Sequence, residues 1–237
     1  MPAAKKDVSV VISRGGPYIV SGTVALTEQV IVTDAGGDAV RWQQGESFDA
    51  SERCALCRCG HSHNAPFCDG THAKIGFDGT EVATRTPYAA HATIFEGPVL
   101  SLLDARHLCA DARFCDPNGK VWNQVGRTDD LQVRATFLRQ VHNCPAGRLI
   151  AFDKASGKVL EPDLPVSIGL VEDPAQDCSG PLWLRGGIQV TSADGHRYET
   201  RNNATLCRCG ASKNKPFCDG AHASVGFKAK SKARVRR

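Results

Sequence analysis

CRCGHSHNAPFCDGTHAKIGF (57–77) and CRCGASKNKPFCDGAHASVGF (207–227) are one pattern used twice, 150 positions apart, agreeing at 15 of 21 positions. The first copy places Cys57, Cys59, Cys68 and His72 at the spacing C-x-C-x8-C-x3-H, and the second places Cys207, Cys209, Cys218 and His222 the same way. Three thiols and one imidazole at fixed spacing mark metal or iron–sulfur ligation. A duplication this close means the rest of the chain reads as two copies of one unit and whatever separates them.

The duplication reaches upstream of the ligands. GPYIVSGTVALT (16–27) resembles GPLWLRGGIQVT (180–191), each opening on Gly-Pro and rich in branched and apolar residues. Both read as strand, kink, strand. The offset here is 164, so the first copy carries 14 extra residues before its cysteines, around VTDAGGDAVRW (32–42). Ala35-Gly36-Gly37-Asp38 reads as a hairpin turn there, and Asp194-Gly195 takes that role in the second copy. Downstream, Phe67 to Ala73 reads as a helix start, with Pro66 in a first-turn position and Asp69 toward the positive end of the dipole. Cys68 and His72, as i and i+4, would then share one helix face.

The donor set suits two metals. Thiolates match iron–sulfur chemistry, and one imidazole in place of a thiolate removes a negative charge and should raise the reduction potential. A Cys3His set is also a legitimate closed, tetrahedral zinc site. Zinc hairpins usually separate their first two cysteines by about two to four residues. Here only Arg58 or Arg208 intervenes.

The run from Cys57 through Ser62, Pro66 and Cys68-Asp69-Gly70-Thr71-His72 resembles the CDGSH iron–sulfur family. The run from Cys207 through Ser212, Pro216 and Cys218-Asp219-Gly220-Ala221-His222 resembles it equally; the family's variable Ser is Thr71 in one copy and Ala221 in the other. The resemblance implies a redox-active [2Fe–2S] cluster on each set of three Cys and one His. In that family two chains pair, one cluster each, under a β-rich cap. The expected fold is therefore mainly β with short helices (α+β), a duplicated core forming an intramolecular pseudo-dimer, and a monomer in solution. Ser62 and Ser212 are candidates to hydrogen-bond cluster sulfur, and Asp69 and Asp219 stand beside the ligands as supports.

Between the copies lies a segment of different character. The chain divides into a first repeat with upstream strands (8–80), an insert (88–165), a second repeat (178–228) and a basic tail (229–237). Phe114, Val121, Trp122, Phe137, Leu138 and Val141 give the insert side chains enough to pack, and Asp129-Asp130 reads as an acidic turn. LCADARFC (108–115) followed by NCPAGRL (143–149) resembles the divergent single-cluster ferredoxin-like domain. Cys109, Cys115 and Cys144 match its cysteines. A [4Fe–4S] cluster normally takes four, so the expectation is a ferredoxin-like fold without a third cluster. His61 and His63 have no counterparts in the second loop and are expected on the surface. Cys54 reads as an inert small side chain.

Composition narrows the function classes. The 237 residues are 41% apolar and 23% charged, as in a globular protein with a core. No apolar run reaches the roughly 18 residues of a spanning helix, and the start lacks a secretory h-region, so no membrane partner and a cytoplasmic location are expected. A reducing compartment makes clustered Cys and His read as ligands rather than disulfides. Net charge is +4, with six cations in KAKSKARVRR (228–237). No aromatic interleaves with them, so no nucleic-acid partner is expected. No triad, phosphate loop or paired acid–base carboxylates point to an enzyme. The expected function is a one-electron carrier with a redox partner protein. The alternative is a cluster donor to an apo-protein, or a redox and pH sensor; a structural zinc protein ranks last. Lys213 and Lys215 beside the second site favour a slightly higher potential there.

Overall fold

Val10, Ile12, Tyr18 and Val20 alternate with polar or half-exposed neighbours, the period of strands with one face inward, and none of the four is more than 2% exposed. They lie on β1 (Ser9–Ile12) and β2 (Tyr18–Ser21). A computed structural model describes residues 8–230. The first repeat continues with β3 (Ala25–Thr33), β4 (Ala39–Phe48), β5 (Arg53–Leu56) and the short helix α1 (Thr71–Lys74). The insert holds β6 (Thr93–Glu96), β7 (Leu100–Asp104), α2 (Val121–Gln124), α3 (Leu131–His142), β8 (Leu149–Asp153) and β9 (Lys158–Leu160). The second repeat supplies β10 (Ser167–Asp173), β11 (Cys178–Arg185), β12 (Gln189–Thr191), β13 (Asn203–Leu206) and α4 (Ala221–Ser224). The protein is mainly β with short helices.

Each repeat contributes to the other's sheet, the first lending β3 and β4 and the second lending β12. One sheet runs β12-β1-β2-β5 and the other β13-β11-β10-β3-β4. In the first, β1 pairs antiparallel with β2 and parallel with β12, setting Val10 against both Val20 and Val190. In the second, β10 pairs antiparallel with β11 and parallel with β3, setting Ile168 against both Leu184 and Leu26. Val20 and Leu184, like Leu26 and Val190, are the pairs related by the upstream offset of 164. Each sheet therefore needs residues from both ends of the chain. The side chains of both sheets meet in one core that includes Ile12, Tyr18, Leu26, Leu170, Leu182 and Leu206. Each such burial contributes about 2 kcal/mol.

The 14 extra residues of the first copy extend a hairpin, and its turn lies where the sequence placed it. Gly37 N–H donates to the Asp34 carbonyl at 3.1 Å and Asp34 N–H to the Asp38 carbonyl at 3.0 Å. Gly37 takes the left-handed φ of 88° that the turn needs. The Asp194-Gly195 turn forms likewise, with Ser192 N–H on the His196 carbonyl at 2.8 Å. The longer first hairpin carries Trp42 to the insert. Its ring lies 4.8 Å from those of Phe114 and Trp183, and its indole N–H donates to the Asn143 carbonyl.

The insert is an antiparallel sheet, β6-β7-β8-β9, with α3 laid on it. Phe137 and Val141 of α3 pack with Val121 against Leu100, Leu102 and Ala151. Trp122 and Leu138 join them, but Phe114 packs instead with Trp42 and Trp183, tying the insert to the repeats. Asp129 and Asp130 lie in a turn closed by Asp130 N–H on the Arg127 carbonyl at 3.1 Å, and Asp130 is also the N-cap of α3, accepting from Gln132 and Val133 N–H. Arg148 and Asp104 form a buried two-pronged pair at 2.6 and 2.8 Å, and Trp122 donates to the same carboxylate. Among the described residues no helix is long and apolar enough to cross a membrane. Most of the basic tail, residues 231–237, lies outside the described residues.

Candidate metal centres

The ligand segments are hung on the sheets by the same bonds in both repeats. Cys57 N–H donates to the Pro66 carbonyl and Cys207 N–H to that of Pro216, both at 2.8 Å. Cys68 N–H reaches the Ala55 carbonyl and Cys218 N–H that of Thr205. These bonds extend β5 and β13 with the bridges Leu56–Phe67 and Leu206–Phe217. Pro66 therefore belongs to this strand-like return and not to a helix turn. The helices α1 and α4 begin only after Gly70 and Gly220, which cap them at φ 82° and 87°. Cys68 and Cys218 precede their helices, and the left-handed glycines bring them beside His72 and His222.

The donors come in pairs. Cys57 and Cys59 sulfurs stand 3.7 Å apart, and Cys207 and Cys209 sulfurs 3.8 Å. Cys68 sulfur lies 3.3 Å from His72 Nδ1, and Cys218 sulfur 3.4 Å from His222 Nδ1. With metal–sulfur bonds of about 2.3 Å and metal–nitrogen bonds of about 2.0 Å, two donors on one tetrahedral metal stand roughly 3.5–3.8 Å apart. Each pair thus spans one edge of a tetrahedron. Among the described residues, no three His, Cys, Asp or Glu side chains converge closely enough to hold one metal ion.

Within the thiol pairs one sulfur is poised as thiolate. A hydrogen bond from Cys59, with backbone N–H groups of Ser62 and Gly60, brings Cys57 down to about 6 against the effect of burial. Cys59 keeps the proton and is pushed up. Cys207 falls to about 7 by the same means, with Lys215 assisting, and Cys209 rises. Burial raises Cys68 and, more strongly, Cys218. Ala211 and Gly220 N–H groups each point at ligand sulfur, on Cys209 and Cys218, at 3.4 Å.

Burial, then the Arg208 charge, lowers His222 to about 4. Its neutral form is favoured by the fold, so this contribution is complete above the ordinary histidine value near 6.5 and is lost as pH falls through 4. Chelator-stripped protein should lose up to about 3 kcal/mol between those pH values, read from urea midpoints. His222→Gln should flatten that slope.

The supporting residues sit differently from expectation. The Ser62 hydroxyl donates to the Phe67 carbonyl at 2.6 Å and accepts from Asn64 N–H, and Ser212 does the same with Phe217 and Asn214. The hydroxyl proton is committed to the loop; what Ser62 and Ser212 offer sulfur is their backbone N–H. Asp69 accepts from His63 and Thr71 N–H, and Asp219 from Lys213 and Ala221 N–H, so each carboxylate ties the ligand loop to its helix. These bonds hold Asp69 well below the usual carboxylate range. His61 and His63 are exposed, with His63 3.4 Å from Asp69. Cys54 is half-buried and raised by burial, and all eleven cysteines are free thiols.

Two contacts were not read from the sequence. The ligand loops touch back to back: a Cβ on Gly60 would lie 2.4 Å from the Cys209 carbonyl oxygen, and one on Gly210 would lie 2.5 Å from that of Cys59. The repeated C-x-C-G was the available signal. The other is Arg58 and Arg208, the residues between the paired cysteines, which are 1% and 3% exposed. Arg58 is held by the Ser13 and Gly79 carbonyls beside the Tyr18 and Phe77 rings. Arg208 is held by the Gly180 and Val171 carbonyls and Glu172. Each anchors the backbone between its two paired cysteines to the protein interior.

In the insert, Cys109, Cys115 and Cys144 line one small cavity with Arg148. Backbone N–H groups of Leu149, Ala146 and Arg148 point at Cys144, although burial outweighs them and raises its thiol. Burial also pushes Cys115 up to about 12. The donor set is one thiol short of the usual four.

Residues 15–73 and 179–223 both match the family described as iron-binding zinc finger CDGSH type. Residues 95–154 match the family described as divergent 4Fe-4S mono-cluster. The matches are those of a tandem CDGSH protein with a divergent 4Fe–4S region between its repeats, and iron–sulfur binding is the chemistry these families mark. No curated protein and no solved structure matches it.

Proposed function

We propose that the chain holds two [2Fe–2S] clusters, one on Cys57, Cys59, Cys68 and His72 and one on Cys207, Cys209, Cys218 and His222, and serves as a one-electron carrier to a partner protein. The observation that carries this reading is the pairing of donors. A single zinc would draw all four donors of a repeat to one ion, whereas two irons take two donors each. The donors are close within each pair, and among the described residues no three of them converge on one ion, which suits the second arrangement. When bound, such a cluster supplies reversible one-electron redox chemistry. The chain's own contributions are the lowered thiols at Cys57 and Cys207, the N–H groups aimed at sulfur, and the buried Arg58 and Arg208 that anchor the backbone between the paired cysteines.

The repeats form an intramolecular pseudo-dimer in this reading, and the protein is a monomer. Reciprocal exchange of β3 and β12, which pair with β10 and β1 of the other repeat, and the close approach of Gly60 to Cys209 and of Gly210 to Cys59 support it. The half-buried His72 favours a second role, release of a cluster to an acceptor, because a proton can displace an imidazole. Cys57→Ser and Cys207→Ser should each halve the iron and sulfide of the purified protein, from about four irons to about two. The double variant should hold none at the repeats. Iron above about four per wild-type chain would belong to the insert thiols. Stoichiometric zinc in place of iron and sulfide would overturn the proposal.

A further inference from the structure

The two Cys–His pairs meet solvent differently. Cys68 and His72 are half-buried, whereas Cys218 is 2% and His222 5% exposed. Sequence does not account for this, since α1 and α4 begin alike. The neighbours do. A Cβ on Gly70 would meet nothing within 4 Å, but one on Gly220 would meet Asp111 Cβ at 3.4 Å and the Cys109 carbonyl oxygen at 3.5 Å.

The wall over the second pair is thus the insert loop 109–115, and it is fastened there. Arg113 grips Asp173 of β10 with two guanidinium nitrogens, one at 3.1 Å. Asn214, in the second ligand loop, donates to the His107 carbonyl at 3.0 Å. Ala110, Ala146 and Cys144 pack on Cys218 itself. Asp111 and Arg113 take left-handed φ values of 54° and 61°, which non-glycine residues adopt only when surroundings hold them. On the thiol side the order is reversed, with Cys59 buried and Cys209 half-buried. The second repeat is therefore not more buried throughout; its extra cover falls on the Cys–His edge.

We propose that the repeats divide labour: the Cys68–His72 edge is the port where an external, thiol-bearing acceptor protein reaches the bound group, and the Cys218–His222 edge is closed by the insert. This rests on the cluster reading above. Among the described residues, nothing stands within 4 Å of a Cβ at Gly70. An acceptor can approach the first edge directly, while the second requires the 109–115 loop to open.

The test uses the protein as purified, with an iron chelator (bathophenanthroline disulfonate) and N-ethylmaleimide present together. Samples are quenched over time, and labelled cysteines are mapped by mass spectrometry. Cys68 should be labelled about tenfold or more faster than Cys218, the size of effect a required local opening imposes. Arg113→Ala, which unfastens the loop, should speed labelling of Cys218 and leave Cys68 unchanged. Equal rates in the wild type, or Cys218 labelled first, would overturn the proposal; this arm needs no variant to fold. An unchanged Cys218 rate in folded Arg113→Ala would overturn the role of the loop. If the purified protein carries zinc, the cluster reading fails, while the labelling order still decides whether one edge is open and the other shut.

Discussion

Gly60→Ala and Gly210→Ala should each destabilise the protein by about 2–5 kcal/mol and cost iron at both repeats, not only at the one altered. The expectation follows from two added terms. At φ 79° and 80° these residues occupy the left-handed region, where a side chain costs about 1–2 kcal/mol. A methyl group would also stand 2.4 or 2.5 Å from a backbone carbonyl oxygen of the other ligand loop. That oxygen cannot swing away like a flexible side chain, because it belongs to Cys209 or Cys59, itself a proposed ligand. Relief must come from separating the loops, which disturbs both donor sets. Gly37→Ala is the control: its φ is 88°, but a Cβ there meets nothing within 4 Å. It should cost only the conformational term, about 1–2 kcal/mol. Urea midpoints and iron content measure both quantities. Equal losses at Gly37 and Gly60 would mean the ligand loops do not bear on each other.

His72→Cys and His222→Cys form the other large expectation. Exchanging a neutral imidazole for a thiolate adds one negative charge to the bound group. The reduction potential should fall by something on the order of 100 mV at the altered site. The same exchange removes the ligand that a proton can displace, so the visible colour should persist to lower pH. The two variants need not gain equally. His72 is half-buried and His222 is enclosed, so the gain in acid resistance should be greater for His72→Cys. Acid lability unchanged in both variants would show that the imidazole is not the weak bond.

Much of the site was legible because chemistry sets its spacing. The two C-x-C-x8-C-x3-H runs name eight donors, and the fold brings the members of each pair to within 3.8 Å or less. The hairpins at Asp34–Asp38 and Ser192–His196 were legible from their glycines and aspartates, whose turn preferences are local. What depends on distant partners was not. Ser62 and Ser212 looked like donors to sulfur because hydroxyls can play that part, yet nearby carbonyls of Phe67 and Phe217 claim their protons. The helix was placed too early because Pro66 and Asp69 fit a helix start by local preference, while bridging to β5 takes Phe67 into a strand-like segment. Nothing in the repeats themselves distinguishes His72 from His222. Their difference comes from residues 109–115, more than 100 positions from His222, which the fold lays against Gly220. The exchange of β3 and β12 also escapes local reading, since any apolar strand suits either neighbour.

The most direct test of the central claim is a visible absorption spectrum of the purified protein, with iron, sulfide and zinc assayed on the same sample. The account predicts a coloured protein with sulfur-to-iron charge-transfer bands and about four irons and four sulfides per chain at the repeats. A colourless protein with about two zincs, unchanged by anaerobic reconstitution with iron and sulfide, would contradict it.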